Sequence, residues 1–300
     1  MILAERRGSI VKKKKTIEDI VLDIIVYAVL IIIFIATFYP MWYVVVASFS
    51  TGTYIAQTDG LLLWPGDFTL KAYKMVVDDE RIWSGLKNSL VVLGVSLPIN
   101  IILTTMCGYF LANTGMMLKK PIAAMIMFTM FFSGGMIPAY LNVKALGLYN
   151  SLWALILPGA MSVYNAIICK TAIEGIPESL PESAYLDGAN DIQVLFKIVL
   201  PLIKPTLAVI LLYYGVAHWN AWFNASIYLK DESKVPVQNI IRAILLANTE
   251  FGESGAESYD EYAEAIRYAA IVVSTFPILC VYPFLQKHFA KGVMIGAVKG

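Results

Sequence analysis

Six long stretches without a charged side chain constrain this fold more than any other feature of the sequence. The hydrocarbon core of a bilayer is about 30 Å thick, and a helix needs about 20 apolar residues to cross it. Every charge-free run of about 18 residues or more is therefore a candidate span. The six runs are Ile24 to Thr58, Asn88 to Leu118, Pro121 to Val143, Ala145 to Cys169, Pro205 to Leu229 and Tyr268 to Gln286. They predict an all-α, polytopic membrane protein with six transmembrane helices.

The composition excludes an ordinary soluble domain. Hydrophobic residues make up 58% of the chain and charged residues 15%, whereas soluble domains average about 45–50% and about 25%. The formal net charge of +1 gives no reason to expect a nucleic-acid partner or a strongly acidic substrate. Membrane lipid is the solvent that this composition predicts for most of the chain.

The distribution of charge predicts the orientation. Six basic residues, Arg6, Arg7 and Lys12 to Lys15, precede the first run and place the N-terminus in the cytoplasm by the positive-inside rule. Threading the six runs alternately puts 14 of the 23 Lys and Arg residues inside, and 13 of the 22 acidic residues outside. The predicted topology is N-in, C-in. A miscounted helical hairpin or an inverted chain is the alternative.

The segment from Pro177 to Pro205 is polar and helix-capable, and it lies on the predicted cytoplasmic side. Ser179 and Glu182 have the spacing of a capping box, in which the Ser hydroxyl and the Glu carboxylate each accept a backbone N–H. A helix over Leu180 to Val194 is expected to follow. Such a segment has no place inside a bilayer, so it is predicted to dock on a soluble partner.

The same segment resembles the EAA motif, E-A-A-x3-G-x9-I-x-L-P, of the membrane subunits of ATP-binding-cassette (ABC) importers. The matching residues are Glu182, Ser183, Ala184, Gly188, Ile198, Leu200 and Pro201. Serine in place of the first alanine is the one departure. The resemblance implies a type I permease fold with a cytoplasmic coupling helix at about 178–195. It also implies that these matching residues, together with Asp187, couple the permease to the ATPase subunit. Glu182 as a simple helix cap and Gly188 as a helix-packing residue are the alternatives.

The resemblance extends over nearly the whole chain. Trp64 to Leu70, Tyr73 and Asn88-Ser89 are similar to the carbohydrate-importing branch of this family. The C-terminal segment from Gly292 to Gly300 resembles the tail of the maltose-transporter type of permease, which reaches into the ATPase dimer interface. A flexible, solvated tail is the alternative. The resemblance implies three kinds of protein partner: a second permease subunit, nucleotide-binding ATPase subunits and an extracytoplasmic solute-binding protein.

The chain lacks the motifs of an enzyme. It contains no G-x4-G-K-[ST] phosphate loop, no H-E-x-x-H and no G-x-S-x-G. ATP hydrolysis is therefore expected in a separate subunit, which would bind ATP and Mg, and no cofactor, metal or catalytic residue is predicted in this chain.

Polar aromatic and amide side chains in the fifth run are the candidates for a substrate path. Amides hydrogen-bond sugar hydroxyls, and aromatic faces stack on sugar rings, so the set suits a neutral oligosaccharide. The candidates are Tyr213, Tyr214, His218, Trp219, Asn220, Trp222 and Asn224. Interhelical hydrogen bonding with an interfacial aromatic belt is the alternative for each of them.

Three parts are predicted: a cytoplasmic N-terminal segment (1–23), a transmembrane permease domain (24–289) and a cytoplasmic tail (290–300). The predicted function is that of a multi-pass permease subunit in the inner membrane of a prokaryote, importing a carbohydrate at the expense of ATP. A permease for another solute and a secondary transporter are the alternatives. A secondary transporter is disfavoured because the six runs hold no carboxylate that could couple transport to an ion.

Overall fold

The computed structural model describes residues 16–58, 60–113, 115, 117–247 and 262–280. These residues form helices joined by turns and loops, without a strand, as the all-α prediction requires. The first half holds α1 (Ile17–Ser48), α2 (Gly52–Gln57), α3 (Lys71–Asp78), α4 (Glu80–Ala112), α5 (Lys119–Phe131), α6 (Met136–Ala145) and α7 (Trp153–Ile156). The second half holds α8 (Val163–Glu174), α9 (Ser179–Leu186), α10 (Asp191–Leu202), α11 (Lys204–Trp219), α12 (Trp222–Tyr228), α13 (Val237–Ala247) and α14 (Tyr262–Cys280).

Helix α1 begins at a capping box and lies at the edge of the molecule. The Thr16 hydroxyl accepts the N–H of Asp19, and the Asp19 carboxylate accepts the N–H of Thr16. Along its 32 residues, only the last turn is buried. The exposed remainder is rich in Ile, Val and Phe, which is the composition of a helix surrounded by lipid.

Helix α4 is the central element of the fold. Its 33 residues pack against α8, α11 and α13. The Asp79 carboxylate caps its first turn by accepting the N–H of Arg81, and its bond to the Arg81 guanidinium keeps the pKa of Asp79 below its ordinary value. Polar side chains, including the fully buried Ser96, Asn100 and Thr104, lie on its packed face. Asn100 and Thr104 form hydrogen bonds with neighbouring parts of the chain, whereas no described residue bonds to the Ser96 hydroxyl.

The two ends of α4 contact different parts of the chain. Near its start, the Asn88 amide donates to the carbonyl groups of Ser233 and Val235. Near its end, the Tyr109 hydroxyl lies 2.9 Å from the Tyr185 hydroxyl. A rise of about 1.5 Å per residue separates Asn88 from Tyr109 by roughly 30 Å, the thickness of a hydrocarbon core. The loop before α13 and the segment around α9 therefore lie at opposite ends.

The described residues contain three helices that are long and apolar enough to cross a membrane: α1, α4 and α14. Two further candidates are bent pairs, α5 with α6 at 116° and α10 with α11 at 84°. The predicted run from Ala145 to Cys169 holds the short α7 and half of α8 instead of one long helix. The count of six spans and the N-in, C-in orientation thus stay predictions. Residues 1–15 and 281–300, with the basic flank, the end of the last run and the tail, lie outside the described residues.

Substituting Gly108 by alanine is expected to destabilise the protein by about 1–3 kcal/mol through overpacking. A Cβ atom at Gly108 would lie 2.9 Å from the Cβ and Sγ atoms of Cys169 and 3.1 Å from the backbone nitrogen of Lys170. The α4–α8 contact depends on this close approach. The melting temperature of the purified protein should fall by several degrees.

Gly94→Ala is the matched control for this substitution, because it makes the same change on α4 where a Cβ would meet no atom within 4 Å. An equal loss of stability in both variants would show that the α4–α8 approach at Gly108 is not the cause.

Candidate functional site

The coupling segment, defined here as residues 177–203, begins differently from the sequence prediction. Helix α9 starts at Ser179, with Glu178 in the capping position and no side chain capping it. The N–H of Glu182 bonds to the carbonyl of Glu178, and the Ser183 hydroxyl donates to the carbonyl of Leu180. The predicted capping box between Ser179 and Glu182 is therefore wrong. Because Ser179 is already inside the helix, its hydroxyl does not occupy the capping position.

A single helix over Leu180 to Val194 is also wrong, because Gly188 ends α9. Its φ of 84° lies in the left-handed region that favours glycine. The N–H of Ala189 reaches the carbonyl of Ala184, and the N–H of Gly188 reaches that of Tyr185, which is the pattern of a Schellman motif. Gly188 thus turns the chain between two helices and does not serve as a helix-packing residue.

Helix α10 begins immediately after this turn. Asn190 and Gln193 form a capping box, each side chain accepting the other's backbone N–H. Five residues, Leu195–Val199, have π-helical hydrogen bonding. At Ile203 the chain bends by 84° into α11, whose first turn holds Pro205. Proline is suited to this place because the N–H it lacks would have no partner in the first turn.

The residues of the predicted coupling motif divide into an exposed set and an inward set. Glu182, Ser183, Asp187, Gly188 and Pro201 are exposed. The inward set, which is half-buried, consists of Ala184, Ile198 and Leu200, of which Ala184 and Leu200 pack against the core formed by α8, α10 and α11. Leu186, which precedes Asp187, has 89% of its area exposed.

A cavity of about 500 Å³ lies between α7, α8 and the second half of α11. Of the predicted substrate-path residues, it brings together Tyr213, Tyr214 and Asn224, along with His218. The other lining residues are Ala154, Leu155, Pro158, Gly159, Met161, Ser162, Tyr164, Asn165, Ala217 and Ala221.

Three predicted residues do not line this cavity. Trp219 is buried in a separate core with α4 and α13. Asn220 is exposed at the end of α11. Trp222 lies under the guanidinium group of Arg242, whose central carbon is 3.6 Å from the ring centre. Trp219 and Trp222 therefore make packing contacts outside the cavity.

Hydrogen bonds from α4 hold the inner wall of the cavity. The Tyr214 hydroxyl lies 2.6 Å from the Thr104 hydroxyl and accepts the N–H of Ser162 at 2.8 Å. Asn100, which is fully buried, donates from Nδ2 to the carbonyls of Gly159 and Ala160, both at 2.9 Å. Its Oδ1 is left to accept, so the Nε2 of His218, at 3.0 Å, carries the hydrogen and donates.

Two exposed rings form the cavity's aromatic surface. Tyr164 and Tyr213 are 55% and 46% exposed, and their ring centres are 6.4 Å apart at a tilt of 36°. Their hydroxyls and faces, with the amide of Asn224, offer hydrogen bonds and flat apolar surface in one place. That combination is suited to a molecule with both hydroxyl groups and apolar ring faces. Within the described part of the chain, no three His, Cys, Asp or Glu side chains cluster as metal ligands would.

Comparison with known proteins decides the family. The model of the family described as "Binding-protein-dependent transport system inner membrane component" matches residues 81–295. The chain belongs to this family. The predicted resemblance to permease subunits and the predicted location in the inner membrane are thereby confirmed.

Among the relatives of this permease is the polygalacturonan/rhamnogalacturonan transport system permease protein YtcP of Bacillus subtilis. It is 40% identical, over 93% of this chain and 98% of the relative. The arabinooligosaccharides transport system permease protein AraQ of Halalkalibacterium halodurans is 27% identical, over 90% and 93%. A solved bacterial ABC transporter, involved in the import of the acidic polysaccharide alginate, aligns with a TM-score of 0.85 at 29% identity, over 92% of this chain and 99% of its own.

The sequence prediction missed Asn100, Thr104 and Tyr164 in this permease. A signal for the first two existed, because Ser96, Asn100 and Thr104 are spaced by four residues in a charge-free run and so share one helical face. Tyr164 carried no such signal, since only the fold of α8 against α11 brings it to Tyr213.

Proposed function

We propose that this chain is a permease subunit of an ATP-driven importer and that it translocates an oligosaccharide delivered by an extracytoplasmic binding protein. Family membership supports the transport role. The relatives named for polygalacturonan, rhamnogalacturonan and arabinooligosaccharides, and the alginate transporter, support the carbohydrate class. The observation that carries the proposal within this chain is the cavity in which Tyr164, Tyr213 and Asn224 meet.

The chemistry of the cavity fits a sugar. The faces of a pyranose ring carry C–H groups, which pack on aromatic rings, and its edge carries hydroxyl groups, which bond to amides and phenols. The described residues that line the cavity include no Lys or Arg. These residues therefore offer a sugar uncharged contacts, and the carboxylate of an acidic sugar would need its counter-charge from another part of the complex.

The coupling segment supplies the link to ATP in this proposal. The exposed surface of α9, with Glu182, Asp187 and the neighbouring Leu186, docks on a nucleotide-binding subunit, which holds the ATP and Mg. Closure of that subunit moves α9, and the 84° bend at Ile203 connects this movement through α10 to α11. Because α11 carries Tyr213 and Tyr214, rigid-body motion of the coupling segment would change access to the cavity.

The proposal includes the predicted orientation and the division into parts. The end of α4 that carries Tyr109, with α9, faces the cytoplasm, and the end that carries Asn88 faces the binding protein. A second permease subunit completes the membrane-embedded path. The transmembrane domain covers residues 24–289, between the N-terminal segment and the tail.

A ligand screen of the cognate binding protein tests the substrate class. Calorimetry against neutral oligosaccharides, uronic-acid oligosaccharides, peptides and amino acids should detect binding only in the two sugar panels. Binding restricted to peptides or amino acids would overturn the carbohydrate assignment and favour a permease for another solute.

Tyr213→Leu is expected to raise the KM for transport about ten-fold, which corresponds to a loss of about 1.4 kcal/mol of binding. The substitution keeps an apolar side chain and removes the ring face and the hydroxyl beside Tyr164. Uptake into proteoliposomes at several concentrations of loaded binding protein gives the measurement.

Tyr27→Leu makes the same substitution on the exposed surface of α1 and should leave the KM unchanged. A KM unaffected by Tyr213→Leu would remove this residue from the substrate path.

A further inference from the structure

Three side chains form a hydrogen-bonded chain between α4, α9 and α10. The Tyr185 hydroxyl donates to the Asp191 carboxylate at 2.6 Å, and it lies 2.9 Å from the Tyr109 hydroxyl. Tyr109 lies near the end of α4, Tyr185 lies within α9, and Asp191 is the first residue of α10. The contact between Tyr109 and Tyr185 joins positions 76 residues apart in the sequence.

The number of available hydrogens determines which group donates in each of these hydrogen bonds. A phenol has one hydrogen, and a carboxylate can only accept, so the hydrogen of Tyr185 is used on Asp191. Tyr109 must then donate to the oxygen of Tyr185. Burial raises the pKa of Tyr185, and its hydrogen bonds to Asp191 and Tyr109 raise it further. The phenol therefore stays protonated throughout the physiological pH range.

Besides these hydrogen bonds, helix α9 packs on α10 within the described part of the chain. Through Ala184, α9 packs against the core of α8, α10 and α11, and an alanine side chain buries little area. Most of its other side chains are exposed, and Gly188 separates it from α10. The Tyr109–Tyr185–Asp191 chain bridges this turn and also fastens α9 to a third helix.

Helix α4 connects the same chain of hydrogen bonds to the cavity. Thr104 lies five residues before Tyr109 and contacts Tyr214, and Asn100 lies one turn further and contacts His218. With about 1.5 Å per residue, Tyr109 is roughly 14 Å along the axis from Asn100. A movement of α9 thus reaches the cavity through α4 as well as through α10 and α11.

We propose that Tyr185, held between Tyr109 and Asp191, is a positioning residue that makes α9, α10 and the end of α4 move as one body during transport. The inference rests on the proposed role of α9 as the contact with the ATPase. It adds a second connection, by way of α4, between that contact and the cavity. Loss of the Tyr185 hydroxyl would leave α9 attached by the polypeptide at its two ends, by its packing on α10 and by the contact of Ala184.

The first test is hydrogen exchange in the purified complete complex, with Tyr185→Phe, Tyr109→Phe and the double variant. The amides of residues 185–191 should exchange about ten-fold faster in each single variant. The double variant should exchange at the same rate as the single variants, because each single substitution already interrupts the same series of hydrogen bonds. Tyr27→Phe, on the exposed face of α1, is the matched control and should exchange at the wild-type rate. Unchanged exchange in Tyr185→Phe would overturn the proposal, whatever the transport activity.

The second test is the number of sugars transported per ATP hydrolysed in proteoliposomes, measured at equal amounts of assembled complex. Tyr185→Phe and Asp191→Asn should lower this ratio several-fold, with the ATPase activity retained. An unchanged ratio together with faster exchange would show a structural role alone and would also overturn the proposal. If the wild-type complex transports no sugar, the proposed function fails, and hydrogen exchange still decides whether the three helices are fastened together.

Discussion

Glu182→Lys is expected to reduce ATP-driven uptake by about 100-fold or more, the largest effect that we expect from a single exposed residue. Docked surfaces carry complementary charges, so reversing the charge of Glu182 would place like charges together at the proposed interface, at a cost of several kcal/mol. Each 1.4 kcal/mol changes the docking equilibrium by a factor of ten. The Glu182 side chain is exposed in the first turn of α9. Reversing a charge beside a helix N-terminus costs only about 0.3–1 kcal/mol, so the fold should survive.

The measurement compares uptake with the amount of assembled complex in the membrane. Glu18→Lys is the matched control, because Glu18 is also exposed in the first turn of a helix, at the predicted cytoplasmic end of α1. The Glu18→Lys variant undergoes the same charge reversal beside a helix N-terminus and should transport at the wild-type rate. Normal uptake in Glu182→Lys at wild-type levels would mean that α9 does not dock on the ATPase through this residue.

Asn100→Leu is expected to abolish transport and to lower stability by about 2–5 kcal/mol. The substitution removes two donors from the carbonyls of Gly159 and Ala160 and one acceptor from His218, all at 2.9–3.0 Å. A lost hydrogen bond costs about 0.5–1.5 kcal/mol, and this substitution removes three of them together. The loop that forms one wall of the cavity would lose its direct hydrogen bonds to Asn100 of α4.

Two measurements separate the parts of this effect: the melting temperature of the purified protein and the initial rate of uptake per assembled complex. The control is Asn142→Leu, the same change at an exposed position of α6. It should alter neither quantity by much. Wild-type transport in Asn100→Leu would contradict the role of this network in shaping the cavity.

The apolar runs predicted the class of fold because the bilayer imposes it. A charge-free stretch of sufficient length has few stable places other than the membrane, so the all-α membrane protein follows from Ile24 to Thr58 and its counterparts. The bends between helices do not follow in the same way. Whether a run such as Pro121 to Val143 is straight or bent by 116° depends on packing, which a hydropathy pattern does not contain.

In the coupling segment, too, the sequence pattern does not determine the local structure of single residues. Its motif spacing predicts a coupling role and an ATPase partner, but the spacing of Ser179 and Glu182 also matched a capping box that does not form. Gly188 is compatible with a helix interior and with a left-handed turn, and the choice depends on the carbonyls it can reach in the folded chain.

Part of the cavity was predictable from helical periodicity. Tyr213, Tyr214, Ala217 and His218 share one face of α11, and Trp219 lies outside it. Grouping polar residues by composition, without regard to face, brought Trp219 into the predicted set.

ATP-dependent uptake by the complete complex in proteoliposomes tests the central claim most directly. The complex of both permease subunits and the ATPase is reconstituted with ATP enclosed or omitted, and with binding protein loaded with a labelled oligosaccharide or empty. We expect uptake only when enclosed ATP and loaded binding protein are both present. Uptake that persists without ATP, driven by an ion gradient, would contradict the account and identify the chain as part of a secondary transporter.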